Sequence, residues 1–168
     1  TPLYSSAASD VYKRQAHSLT LAKHPSETDE RLMVRLIAFA LFASDLLAFG
    51  KGLSDDEEPD LWQKDLTGAI ELWIEVGLPD ERVLRKASGR SNQVALLMYG
   101  GRSADIWWDQ NSKALLKLDN LTVINLPDTV ELANAATRNM NISCTIQDNE
   151  MLVTHDIGSF TLLPIKLK

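Results

Sequence analysis

Residues 70–87 read IELWIEVGLPDERVLRKA, and this stretch decides the fold. It begins as an alternating strand, breaks at Gly77-Leu78-Pro79 and continues as a basic helix opened by Pro79-Asp80 and stopped near Ser88-Gly89. Side chains alternate along a strand, so Leu72, Ile74 and Val76 form an apolar face while Glu71, Trp73 and Glu75 share the other. Two acids on a strand between apolar neighbours demand a partner. At about 3.3 Å per residue Glu71 and Glu75 lie roughly 13 Å apart, too far to share one ion. A site at Glu75 must therefore recruit groups from other elements.

Working outward, HSLTLAKHPSETDERLMVRLIAFALFA (17–43) gives an alternating segment, SLTLA, then a helix over 27–43. Ser26 is the expected N-cap with Asp29 in capping-box position, and Glu27, Arg31 and Arg35 pair at i, i+4 spacing. Glu30 falls on one face with Met33, Ile37 and Leu41, where a carboxylate is costly unless paired or ligating. LLAFGKGL reads as a strand, SDDEEPD as a solvated acidic loop, and LWQKDLTG as the approach to the strand above. VALLMYGG, bounded by glycine, is a strand covered on both faces. A helix from Ser103 or Asp105, the strand LTVINL and the short helix PDTVELANAATR follow. The chain closes with ISCTIQD, EMLVTHD and FTLLPIKLK, three strands joined by turns at Asp148-Asn149 and Ile157-Gly158-Ser159. The order implies an α/β fold of the α+β kind. Its mixed sheet is antiparallel early and parallel in the middle, with a C-terminal antiparallel strand meander.

Residues 16–168 form the expected single domain. The first fifteen, TPLYSSAASDVYKRQ, lack periodicity, and SSAASDVYKRQ resembles translated adaptor sequence, so a non-native or disordered leader is expected there. Composition is that of a globular protein, 45% hydrophobic and 24% charged, with no apolar run long enough to span a bilayer. Cys144 is the only cysteine and alternates with Ile142 and Ile146, which excludes an internal disulfide and favours a buried side chain. A cytoplasmic location is the expectation. A net charge of −6 argues against broad non-specific nucleic-acid binding and leaves room for a local basic patch. His17, His24 and His155 show no metal-ligand spacing, and no glycine-rich phosphate loop, nucleophile elbow or cysteine zinc motif is present.

The blocks HSLTLAKHPSETDERLMVRLIAFAL, GLSDDEEPDLW, IELWIEVGLPDERVLRKA and IWWDQN resemble the YaeQ family of bacterial proteins, from about His17 to the end. The resemblance implies a restriction-endonuclease-like fold, a variant of the PD-(D/E)XK nuclease core, ordered helix, three strands, helix, strand. It also implies a strand ahead of HSLTLA. Pro59-Asp60 then matches the motif's "PD" and Glu75 its second acid. The lysine due two residues later is replaced by Gly77, so the cation is sought on the following helix, at Lys86 or Arg82. The expected site is Glu30, Asp60 and Glu75 on Mg²⁺ or Mn²⁺, whose hydroxide would attack a phosphodiester of a nucleic acid. The competing readings are a structural ion pair of Glu75 with Arg82 or Lys86, a salt bridge for Glu30 and a merely solvated Asp60. On those readings the chain is a catalytically inactive relative that serves as a binding or interaction module.

Overall fold

Two sheets and four helices appear in a computed structural model, which describes residues 2–7, 13–51 and 57–168. In chain order the elements are β1 (Pro2–Ala7), β2 (Lys13–Ser18), α1 (Asp29–Leu41), β3 (Leu47–Phe49) and β4 (Leu61–Lys64). Next come β5 (Ile70–Val76), α2 (Glu81–Arg90), β6 (Ser91–Tyr99), α3 (Arg102–Leu115), β7 (Leu121–Leu126) and α4 (Val130–Asn134). Last are β8 (Ile142–Gln147), β9 (Glu150–His155), β10 (Gly158–Leu162) and β11 (Ile165–Lys166). One sheet runs β11-β7-β6-β5-β4-β3 and the other β10-β9-β8-β1-β2.

The six-stranded sheet is mixed in the expected way: β3-β4-β5 is antiparallel, and β5-β6-β7 is parallel through the crossover helices α2 and α3. Its two faces carry two cores. Ile74, Val76, Ala95 and Leu97 pack under α1 against Met33, Val34 and Ile37. Trp73, Val94, Leu96 and Met98 pack under Leu84 and Ala87 of α2 and Ala104 and Leu115 of α3. This double burial explains why VALLMYGG reads as an uninterrupted apolar run. At the other end of the chain, Asp148 and Asn149 both take positive φ, 50° and 64°, and close the β8–β9 hairpin as expected.

Several boundaries differ from the sequence reading. The N-cap of α1 is Thr28, whose hydroxyl accepts from the Arg31 backbone N–H at 3.1 Å. Glu27 is instead turned inward, 6% exposed, onto Arg31 and Arg35, so the helix starts at Asp29 and not at 27. SLTLA pairs as a strand only through Ser18; Leu19 and Leu21 alternate because they pack against the α1 core. α2 runs through Gly89 to Arg90 with Asp80 as its cap. The last strand splits at Leu163-Pro164, since proline cannot donate to a ladder, and its remnant β11 crosses to pair with β7. Within the stretch read as a leader, Pro2–Ala7 is β1, set between β8 and β2. Residues 8–12, and residues 54–56 of the acidic loop, lie outside the described residues. No described helix is long and apolar enough to cross a membrane. Cys144 is buried on β8 and burial pushes its thiol up to about 12, in keeping with a packing role.

Candidate functional site

Strand register builds the site. The β4–β5 ladder pairs Trp62 with Trp73 and Leu61 with Ile74, and then ends. One residue further out, Asp60 and Glu75 stand opposite each other, which is how an acid before one strand and an acid late in another come together. The Asp60 side chain takes over the ladder: its Oδ2 accepts the Val76 backbone N–H at 2.7 Å. Its Oδ1 accepts from the Arg31 guanidinium at 2.6 Å. Asp60 is 3% exposed, so these partners offset a large desolvation cost.

Arg31 is one link of a buried chain of charges. Its Nη1 donates to Glu27 at 3.3 Å, and Glu27 accepts a bidentate pair from Arg35 at 2.7 and 2.8 Å. Burial pulls the Arg31 guanidinium down, but the charge and hydrogen bond of Asp60, with Glu27 behind them, outweigh it and leave its affinity for the proton raised. Arg31 and Arg35 thus answer Asp60 and Glu27, one cation for each carboxylate. Glu75 is a third carboxyl that no guanidinium hydrogen-bonds among the described residues, although the Arg31 charge still reaches it. Its Oε1 accepts the Trp73 indole N–H at 2.8 Å. Burial, then the charge of Asp60, push Glu75 up to about 8, and the two carboxyls lie close enough to share a proton.

These groups open on a cleft of about 720 Å³ at the carboxyl end of β5 and β6, lined by Arg31, Asp60, Glu75, Gly77, Arg82, Lys86 and Tyr99 among others. A crevice at the carboxyl ends of parallel strands is the usual place for a ligand in an open α/β sheet. Four of the five candidate residues therefore meet. Glu30 is not part of the cleft lining; its charge is felt at the Tyr99 phenol, which burial raises first and Arg31 lowers. The two helix cations do not touch Glu75: Lys86 is paired with Glu57, and Arg82 with Asp80. Among the described residues no three His, Cys, Asp or Glu side chains converge as a ready-made metal cage. Two hard carboxylates still suit Mg²⁺ or Mn²⁺, which keep waters and take further oxygens from a substrate phosphate.

Sequence reasoning missed Arg31 and Tyr99. The i, i+4 series Glu27, Arg31, Arg35 was a visible signal, but it reads as pairing along a helix and does not disclose the reach across to Asp60. Tyr99 ended an apolar strand and carried no signal of its own.

A family model described as YaeQ protein matches residues 5–164. The uncharacterized protein YaeQ of Escherichia coli strain K12 is 44% identical over 141 residues, covering 83% of this chain and 78% of that protein. Its counterpart from Salmonella typhi is 45% identical over 133 residues, covering 78% of this chain and 74% of that protein. Crystal structures of YaeQ proteins superpose over nearly the whole fold. That from Xanthomonas axonopodis pv. citri gives a TM-score of 0.91 at 45% identity over 99% of this chain and 96% of its own. That from Pseudomonas syringae gives 0.89 at 36% identity over 99% and 93%. On sequence and on structure, the chain belongs to the YaeQ protein family.

Proposed function

We propose that this chain is a divalent-metal-dependent phosphodiesterase of nuclease type, built on a PD-(D/E)XK-like core. The order α1, β3, β4, β5, α2, β6 supports the fold part of this reading, as do Asp60 and Glu75 at the positions the motif requires. One observation carries the chemical part: two carboxyls face each other in a cleft, and a guanidinium hydrogen-bonds Asp60 but not Glu75. Such a pair takes up either a proton or a metal ion. Asp60 and Glu75 would hold Mg²⁺ or Mn²⁺, which when bound supplies an activated water and offsets charge on the phosphate. Arg31 and the Val76 N–H fix the Asp60 carboxylate, and the Trp73 N–H fixes one oxygen of Glu75. Glu75 would give up its proton on loading of the site. Arg82 and Lys86 on the rim draw in phosphate.

The test is calorimetric titration of Mn²⁺ at pH 7 in two buffers of different ionisation enthalpy. Binding with release of about one proton per ion, lost in Glu75→Gln, is expected. A wild-type protein that binds neither Mn²⁺ nor Mg²⁺ would refute the reading. One observation favours a catalytically silent binding module in that event: Gly77 holds φ +100° where the motif places lysine, a conformation lysine resists.

A further inference from the structure

Arg82, Lys86 and Arg90 fall at i, i+4 and i+8 on α2, a stripe about 12 Å long that starts in the cleft. It does not stop at the helix end. The Arg90 guanidinium lies over the Trp73 ring, 5.2 Å from its centroid; Trp73 meets Trp62 edge to face at 6.0 Å; and the Lys64 ammonium caps Trp62 at 3.8 Å. In a chain of net charge −6 this is a run of four cations and a partly buried indole, leading from β4 to the acid pair. Two carboxylates sit on it: Asp80, which holds Arg82 from the helix cap, and Glu57. Glu57 bridges Lys86 at 2.5 Å and Arg90 at 3.3 Å, and its side chain is 66% exposed. An anion straddling two cations one helical turn apart is what a backbone phosphate does on a basic stripe. Exposed pairs of this kind are worth little in water, so exchange for a phosphate is cheap.

We infer that the α2 stripe and Trp62 form the track for the backbone of a single nucleic-acid strand, and that Glu57 is an internal stand-in for phosphate that the strand displaces. The assignment deepens the nuclease reading by naming how substrate reaches the cleft. Cations spaced by helical turns follow one backbone, and the Trp62 face takes any base by stacking once the Lys64 ammonium moves off it onto a phosphate.

The test is fluorescence anisotropy of a labelled oligothymidylate about 12 nucleotides long, in EDTA, so that binding is read apart from any metal. Wild type should bind at low salt with a log–log salt slope of about −2, as for three phosphates on a single strand. Lys86→Gln with Arg90→Gln should weaken binding roughly tenfold or more and flatten the slope by about 1.4. Glu57→Gln should tighten it severalfold. All are surface changes, so unfolding midpoints serve as the folding control. No binding by wild type, no tightening in Glu57→Gln, or an oligoglutamate peptide competing as well as the oligonucleotide would each overturn the assignment. Strand binding without Mn²⁺ binding leaves the track standing and removes the metal site; the converse removes the track alone.

Discussion

Glu75→Gln isolates the acid pair. The glutamine carbonyl keeps the acceptor for the Trp73 N–H, and its amide presents a donor toward Asp60, so the variant imitates Glu75 with its proton on. In the wild type this carboxyl ionises near 4.5 when unfolded and is pushed up to about 8 when folded. Between those values the native state holds the extra proton, so stability falls as pH rises, by at most about 1.4 kcal/mol per pH unit. Over the span that is a ceiling of ~5 kcal/mol; solvent reaching the open cleft brings the expected loss to about 2–4 kcal/mol. Urea unfolding at pH 5, 7 and 8.5 measures it. The two proteins should be equally stable at pH 5, and the variant more stable by that amount at pH 8.5. Every other titrating group is common to both, so the difference belongs to position 75. Parallel stability curves would refute the claim that Glu75 is held protonated, and with it the view that the pair needs a cation.

Arg31→Met strips the guanidinium from both Asp60 and Glu27 and should destabilise by about 3–5 kcal/mol, read as a lowered urea midpoint; a loss below 1 kcal/mol would mean those carboxylates find other partners. Gly77→Lys supplies the lysine that the proposed nuclease reading calls for but forces a side chain onto φ +100°, so a cost of about 1–3 kcal/mol in thermal or urea unfolding is expected, with no gain in metal binding; an unchanged midpoint would show that the turn relaxes freely.

How much of this was written in the chain varies by element. β5, β6 and β7 were legible because period-2 alternation and double burial leave direct marks, and the parallel crossovers followed from helices placed between them. The Asp60–Glu75 pairing was legible only through the resemblance, since nothing local in EEPDLW says that Asp60 will stand opposite Glu75. The start of α1 was misread because Ser26 and Thr28 both offer a capping oxygen; burial of Glu27 against Arg35, a contact eight residues apart, decides between them. The same kind of contact hid Arg31. A salt bridge between residues 31 and 60 depends on where α1 lies over the sheet, and no spacing along the chain encodes that. The crossing of the last strand from one sheet to the other was equally out of reach, because it turns on Pro164 breaking a strand that otherwise alternates well.

The rung that Asp60 supplies to Val76 has a consequence for how this site can change over time. That carboxylate completes the last rung of β5 beyond the β4 ladder, so an aspartate there serves the backbone whether or not any chemistry is performed. Glu75 has no such duty: it takes a hydrogen bond from Trp73 and otherwise stands as a surplus acid. On the proposed reading, loss of the metal chemistry would therefore erase position 75 first and leave position 60 in place, so position 75 is the one that would tell a metal-binding relative from a silent one.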